Sequence, residues 1–385
     1  MFWEIRKSIG IFSIAVIVLA GIFCGRLLYR AADVGVNYGI EENDVYISRY
    51  FNGWELREIN EKYVELFQGR VMDDNFFVDL NMYFVALSAP TNGKVDLFML
   101  PYGTSLYKYY ELFDKIDLYT QGGHMVGDIF TDVESTFGID PPVLVYTDGW
   151  NTANDYIGMI SQAITVGFVV LSASVFSKEY STGMISLINV SKNGRTRTAM
   201  NKCLSTLLLA TAVYAVFLIL CLIFIFAVWG ADNPLAPVQI LMSGGYITLT
   251  ENISCIQLFI MRAFCCWLGL MSAVMVTLAI SSLCKKPYIA VAVSLLVYFL
   301  PFILNSGEEI LDFWLYWPFN YIYAFAADWS HATYWSQRAS SISLLVMYTL
   351  NAAVWCALGW LVCAIRMNGL NMKSLRQLKA RAIRQ

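Results

Sequence analysis

The sequence predicts an all-α polytopic membrane bundle of six transmembrane helices, with an α+β extracytoplasmic domain inserted after the first helix. Of the 385 residues, 58% are hydrophobic and 14% are charged, whereas about 25% of the residues of an average soluble domain are charged. A soluble fold cannot bury so much apolar surface. The net charge of −3 gives no indication of a nucleic-acid partner.

Six stretches without Asp, Glu, Lys or Arg are long enough to cross a bilayer. A hydrocarbon core about 30 Å thick needs roughly 20 apolar residues in helical conformation. A buried helix of a soluble protein seldom stays uncharged for so long, so each stretch predicts a transmembrane helix. They are residues 8–25, 156–177, 203–231, 263–284, 287–307 and 339–365.

The first stretch has the basic start of a signal peptide, because Arg6 and Lys7 precede a short apolar run. No small-x-small cleavage site follows it, and Arg26 and Arg30 lie where they can snorkel from its outer end. We therefore interpret it as an uncleaved helix, with a cleaved signal peptide as the alternative.

Basic residues are concentrated on one side of the predicted membrane. With a cytoplasmic N-terminus, the inner segments hold 15 Lys and Arg residues and two acids, and the rest of the chain holds 11 bases and 27 acids. The positive-inside rule therefore predicts a multi-pass protein of the cell (cytoplasmic) membrane, with both termini cytoplasmic and residues 30–155 external. The inner segments are 1–7, 178–202, 285–286 and 366–385.

Four regions follow from this plan. Residues 1–29 form the cytoplasmic N-terminus and first helix, 30–155 the external domain, 156–366 helices two to six, and 367–385 a basic cytoplasmic tail. Within the third region lie a coupling loop, 177–202, and an aromatic external segment, 305–341.

The external domain has the pattern of a small α+β fold. Apolar residues recur at helical spacing in 54–68 and 104–119, while 76–89 and 94–100 are rich in strand formers. The domain contains 21 acids and eight bases. We interpret the acids as keeping it soluble, with recruitment of a cationic ligand as the alternative.

The nine cysteines lie outside that domain. They lie in or beside the predicted spans, except for Cys255 on an outer loop, and are interpreted as small packing residues. No recognised metal site is present, because His124 and His331 lack companions and Asp73, Asp74 and Asp79 lack the spacing of a calcium loop.

The chain has no P-loop and no dinucleotide fingerprint. Its energy source must therefore be another polypeptide or an ion gradient, and a gradient-coupled carrier usually has charged groups inside its helices. Arg262 lies just outside the fourth stretch and is expected to snorkel outward. Gln162 is the most polar midmembrane candidate for a substrate path, with a helix-to-helix hydrogen bond as its alternative role.

The loop 177–202 predicts a short amphipathic helix whose apolar residues are too many for a solvated loop. Exposed apolar residues bordered by charge indicate a docking surface. The alternative is that its bases satisfy the positive-inside rule and contact lipid headgroups. The apolar residues are Met184, Ile185, Leu187 and Ile188, and the bases are Lys192, Arg195, Arg197 and Lys202.

This loop resembles that of the permease subunits of the type 2 ABC exporter family (ABC-2 type). Their second helix ends in Phe-x-x-Glu-x-x-x-Gly, followed by a Leu/Ile-rich coupling helix, a turn, and a Lys that leads into the third helix. The chain departs from the family at Met184 and Asn193-Gly194. The matching residues, which the resemblance assigns to ATPase coupling together with Arg197, are Phe176, Glu179, Gly183, Ile185, Leu187, Ile188, Arg195 and Lys202.

The resemblance implies partners rather than a cofactor bound directly. A cytoplasmic ABC ATPase dimer would supply ATP hydrolysis, and a second permease subunit, in a homo- or heterodimer, would complete the membrane part. The six-helix plan is similar to half-transporters related to the lipid-moving ABCA proteins. In the family that the chain resembles, a pair of short re-entrant helices lies between helices five and six. Residues 305–341 occupy that place here, and Pro318 could separate the two helices of such a pair. An aromatic belt at the headgroup level is the alternative.

The leading hypothesis is therefore a permease subunit without enzymatic activity of its own, which moves a hydrophobic or amphipathic cargo such as a lipid or an antimicrobial peptide. A membrane receptor or immunity protein that binds a ligand through its acidic external domain is the alternative. An intramembrane enzyme ranks last, because the predicted spans contain no carboxylate pair, zinc ligands or nucleophile and base.

Overall fold

A computed structural model describes residues 11–32, 38–42, 45–49, 57, 68–70, 143–184, 194–241, 253–304, 316–323 and 341–367. This part of the chain is mostly helical. The α-helices are α1 Ile11–Ala32, α2 Asp148–Ser172, α3 Ser177–Ser181, α4 Gly194–Trp229, α5 Cys255–Leu283, α6 Pro287–Tyr298, α7 Leu300–Leu304 and α8 Ser341–Met367. A 3-10 turn, Val238–Ile240, and a 3-10 helix, Pro318–Tyr323, lie between them.

Four helical stretches are long and apolar enough to cross a membrane. They are Asp148–Ser181, Arg197–Trp229, Cys255–Leu283 and Ile342–Met367, and they coincide with the second, third, fourth and sixth predicted spans. At the fifth predicted span the apolar helix is shorter, at Pro287–Tyr298, and at the first the continuous part of α1 whose side chains the structure describes is the apolar stretch Val18–Tyr29. The helical character predicted from the sequence is thus confirmed for these four stretches, each of which is long and apolar enough to span a membrane.

Helix α5 is the centre of the bundle. In its most apolar 18-residue window 78% of the residues are buried, against 22% for α4 and for α8. It packs against α2, α4, α6, α8 and the 3-10 helix. The apolar faces of α4 and α8 that point away from α5 therefore have the exposure expected of lipid-facing surfaces.

Helix α5 begins eight residues before the uncharged stretch that predicted it. A capping box fixes this start, since the Ser254 hydroxyl accepts from the Gln257 N–H (3.3 Å) and the Gln257 side chain accepts from the Ser254 N–H (3.0 Å). Two expectations are corrected as a result. Cys255 is the buried first residue of the helix rather than a loop residue, and Arg262 is 5% exposed rather than snorkelling outward.

Helix α2 likewise begins earlier than predicted, at Asp148. An acidic residue suits the first turn of a helix because it interacts favourably with the helix dipole. Contacts with the end of α4 hold this start in place: the Tyr146 hydroxyl donates to the Trp229 carbonyl (2.9 Å). A Cβ on Gly149 would lie 1.8 Å from the Gly230 carbonyl oxygen, so only glycine fits there.

The 3-10 helix Pro318–Tyr323 reaches the middle of the bundle. It packs on Gly269, the fifteenth of the 29 residues of α5, where an added Cβ would lie 2.9 Å from the Tyr321 Cβ. A Cβ on Gly158 of α2 would lie 3.1 Å from the Ile322 carbonyl oxygen. Irregular backbone at this depth is tolerated where protein buries it. For residues 316–323 this placement favours the re-entrant alternative over an aromatic belt.

A proline interrupts the fifth predicted span. Pro301 has no N–H to donate to the Val297 carbonyl, four residues before it. The Trp317 indole N–H donates to that carbonyl instead (3.1 Å). The helix consequently divides into α6 and α7 at Phe299, and the re-entrant segment is tied to the break.

Little of the predicted external domain falls within the described residues. Strand β1 (Tyr38–Glu42) pairs antiparallel with β2 (Val45–Arg49), from Tyr38 opposite Arg49 to Glu42 opposite Val45. The sequence did not predict this hairpin. Apart from Arg57 and Gln68, the predicted elements at 54–68, 76–89, 94–100 and 104–119 lie outside the described residues.

Candidate functional site

Several helix ends meet at what we call the basic end of the bundle, the end predicted to be cytoplasmic. The C-terminal ends of α2, α5 and α8 lie there with α3 and the N-terminal part of α4. The bases of this end whose side chains the structure describes include Lys178, Arg197, Lys202, Lys285, Lys286 and Arg366. Most of the residues that the sequence assigns to ATPase coupling belong to this end.

Helix α2 breaks before it reaches α3. Three serines around the break turn their hydroxyls onto carbonyls of their own segment: Ser172 to Phe168 (2.5 Å), Ser174 to Leu171 (3.0 Å) and Ser177 to Ala173 (2.8 Å). Hydroxyls bonded in this way compete with the helix ladder and bend helices. The local sequence therefore favours a break at residues 173–176.

A side chain of α5 is inserted into this break. The Ser281 hydroxyl accepts from the backbone N–H groups of Phe176 (3.0 Å) and Ser177 (3.1 Å), and it donates to the Ala173 carbonyl (2.7 Å). Ser281 is fully buried. Backbone groups that lose their helical partners at the break are thus satisfied by a neighbouring helix.

A buried ion pair joins α3 to α4. The Lys202 ammonium lies 2.5 Å from a carboxylate oxygen of Glu179, and both side chains are nearly inaccessible (5% and 7% exposed). The same ammonium donates to the Val175 carbonyl (3.0 Å) and lies 5.1 Å from the centroid of the Phe176 ring. A pair this well buried is held firmly, because separating two opposite charges in a medium of low dielectric constant costs much free energy.

Gly183 ends the helical segment in a left-handed conformation, with φ of +71°. An added Cβ would meet no atom of the described residues within 4 Å. The position thus needs glycine for its backbone conformation rather than for space.

We expect Gly183→Ala to lower the free energy of unfolding by about 1–2 kcal/mol, because a Cβ disfavours this conformation. Gly183→Asn should cost less, since asparagine tolerates it. Titration with denaturing detergent, followed by circular dichroism, would measure both effects. The control is Gly25→Ala in α1, where the described residues also leave space for a Cβ; an equal effect of both alanine variants would contradict the explanation.

Helix α8 also contacts the segment. The Arg366 guanidinium lies 5.7 Å from the centroid of the Tyr180 ring, within the range of a cation–π interaction. Helices α4, α5 and α8 therefore each hold α3 or the break before it.

The structure brings together only some of the predicted coupling residues. Phe176, Glu179 and Lys202 form one buried cluster, and Gly183 ends the segment that carries two of them. Arg197 lies exposed on α4. Ile185, Leu187 and Ile188 lie outside the described residues, as does the side chain of Arg195.

Gln162, the predicted substrate-path residue, is half-buried on α2, away from this cluster. Its neighbour Ser161 makes the polar contact with another helix, because its hydroxyl lies 3.4 Å from that of Tyr214 on α4. Tyr214 in turn donates to the Ala263 carbonyl of α5 (2.9 Å). A polar contact between helices is thus made by Ser161, the residue before the predicted Gln162.

Sequence reasoning missed Ser281, Tyr180 and Arg366. Ser281 is separated from the break by more than a hundred residues, and its only sequence signal is the polar pair Ser281-Ser282 near the end of an apolar span. Arg366 was assigned only to the positive-inside pattern. Neither the Ser281-Ser282 pair nor the positive-inside pattern indicates a contact with α3 or with the break before it.

Within the described residues, no three His, Cys, Asp or Glu side chains are grouped so that they could hold a metal ion. Comparison with protein-family models, curated proteins and solved structures finds no match to the chain.

Proposed function

We propose that the chain is the permease subunit of an ATP-driven exporter of the ABC-2 type, coupled to a separate ATPase through α3 and the residues that follow it. The buried Glu179–Lys202 pair is the observation that carries this proposal. It fixes a short helix at the basic end of the bundle to α4, while Phe176 and Val175 hold the same ammonium from the other side. Because α3 is fixed to α4 in this way, a displacement of α3 is transmitted to the membrane helices.

The exposed residues of the same region provide the contact surface in this proposal. Lys178 and Ser181 lie exposed on α3, Met184 follows Gly183 with 38% of its surface exposed, and Arg197 lies exposed on α4. An ATPase that presses on these residues would displace α3, and the ion pair would carry the displacement to α2 and α4. Two ATPase subunits and a second permease, identical or related, would complete the assembly.

The proposed topology has six membrane-spanning helices, with both termini cytoplasmic and residues 30–155 external. It combines the four long apolar stretches with α1 and the α6–α7 pair, and it places the basic end in the cytoplasm. The apolar outer faces of α4 and α8 support a cargo that enters from the bilayer, such as a lipid or an amphipathic peptide.

Affinity purification of the full-length tagged chain from its native membranes tests the proposal. We expect an ATPase with a P-loop to copurify, and we expect Met184→Asp and Arg197→Glu together to reduce its yield at least tenfold, which corresponds to about 1.4 kcal/mol of binding energy. The matched control is Leu235→Asp, which changes a 79% exposed side chain beyond the other end of α4.

The outcome separates the transporter from the receptor or immunity protein, the alternative indicated by the acidic external domain. If no ATPase copurifies, and Glu179→Ala leaves the activity of the chain intact, the receptor hypothesis is favoured. ATPase recovery that the Met184 and Arg197 changes do not affect would place the contact elsewhere on the chain.

A further inference from the structure

One hydroxyl from another helix bonds to the backbone at the break between α2 and α3, in addition to the local serines. In a continuous helix the N–H groups of Phe176 and Ser177 would donate to the carbonyls of Ser172 and Ala173. Both N–H groups donate to the Ser281 oxygen instead, and the hydroxyl proton goes to the Ala173 carbonyl. A serine hydroxyl has one donor and two acceptor sites, so Ser281 uses its full capacity at this place.

This hydroxyl belongs to the helix that contacts the most elements of the bundle. Ser281 is two residues from the end of α5, which packs against α2, α8 and the re-entrant 3-10 helix. The three bonds have ordinary lengths, and all four residues that they join are fully buried. A displacement of α3 must therefore either move α5 or break these bonds.

We propose that Ser281 is a positioning residue that holds the α2–α3 break open and makes α5 the helix that receives the motion of α3. The inference rests on the proposed function and adds a path to it. The Glu179–Lys202 pair leads from α3 to α4, whereas Ser281 leads to α5 and, along α5, to Gly269 beneath the re-entrant segment.

Removal of the hydroxyl has a defined physical consequence. In Ser281→Ala the two N–H groups lose their acceptor, and the acceptors available to them are the carbonyls of Ser172 and Ala173. The break then closes into a continuous helix that no longer has a polar bond to α5. Ser281→Thr keeps the hydroxyl and should keep the break.

Hydrogen–deuterium exchange of the full chain in nanodiscs with its copurified ATPase provides the test. Exchange is compared with and without ATP plus vanadate, in peptides covering 173–184 and 276–286. We expect that trapping the ATPase with ATP plus vanadate changes the exchange of both peptides in the unmodified chain. In Ser281→Ala the change in 276–286 should fall about tenfold, because all three hydrogen bonds of the Ser281 hydroxyl to the break are lost, while 173–184 still responds.

Two variants show whether the effect is specific. Ser272→Ala removes an equally buried hydroxyl of α5 that, among the described residues, bonds to the Leu268 carbonyl of its own helix (2.8 Å), and it should behave as the unmodified chain. Ser281→Thr should restore the response of 276–286, which a general loss of stability would not predict.

Failure of this inference differs from failure of the proposed function. If Ser281→Ala retains the full response in 276–286, or if Ser272→Ala loses it equally, the role of Ser281 is overturned while coupling through α3 stands. If no ATPase copurifies, or if 173–184 of the unmodified chain does not respond, the proposed function itself is overturned, and the inference with it.

Discussion

Glu179→Ala is expected to destabilise the folded chain by about 3–5 kcal/mol, because it removes the carboxylate that lies against the buried Lys202 ammonium. The Lys202 side chain is 5% exposed, and its ammonium also donates to the Val175 carbonyl and lies over the face of the Phe176 ring. Neither carries a full negative charge. Lys202→Ala should cost a similar amount for the reciprocal reason. Detergent-induced unfolding followed by circular dichroism would measure both values.

A double variant separates stability from coupling. Glu179→Leu with Lys202→Met removes both charges and fills the volume with apolar atoms, so we expect most of the lost stability to return. If the pair transmits motion, the restored protein should still fail to couple ATP hydrolysis to changes in the membrane helices. Lys178→Ala, an exposed neighbour on α3, should stay within about 0.5 kcal/mol of the unmodified chain. An equally small effect of Glu179→Ala would contradict the buried pair.

The absence of charge predicted where four apolar helices lie but not where they begin. Three charged residues lie inside helices although they fall outside the uncharged stretches that predicted the spans. They are Asp148, Asp155 and Arg262. Tertiary packing allows this, since Asp148 and Arg262 are buried against neighbouring elements. The start of α5 was nevertheless present in the sequence as a Ser-x-x-Gln capping box at Ser254.

The candidate site was predictable only in its local part. The spacing of Phe176, Glu179 and Gly183 lies within one helical segment, and the resemblance added Lys202. The hydroxyl of Ser281 could not be predicted in this way, because no periodicity connects positions more than a hundred residues apart. The same holds for the re-entrant segment, whose depth depends on the two glycines beneath it.

Gly269→Val is expected to displace the re-entrant segment from the middle of the bundle. A Cβ at this position would lie 2.9 Å from the Tyr321 Cβ and 3.0 Å from the Pro318 carbonyl oxygen, so backbone must move to admit it. Overpacking of this kind costs about 1–3 kcal/mol. Tyr321 is fully buried, packs edge-on against Tyr348 of α8 and accepts a hydrogen bond from Asn351 of the same helix, so its displacement would break contacts with α8 as well as with α5.

The measurement pairs stability with the position of the segment. Detergent-induced unfolding gives the free-energy loss, and hydrogen–deuterium exchange of 316–323 should rise in Gly269→Val because the segment leaves its buried place. Gly25→Val on α1 is the matched control, since the described residues leave open space beside it and the change should be nearly neutral. If Gly269→Val were as stable as this control and 316–323 stayed protected, the segment could not lie against the middle of α5. Because Ser281 lies twelve residues further along the same helix, a displaced segment with an intact α2–α3 break would also show that the middle and the C-terminal end of α5 can be perturbed separately.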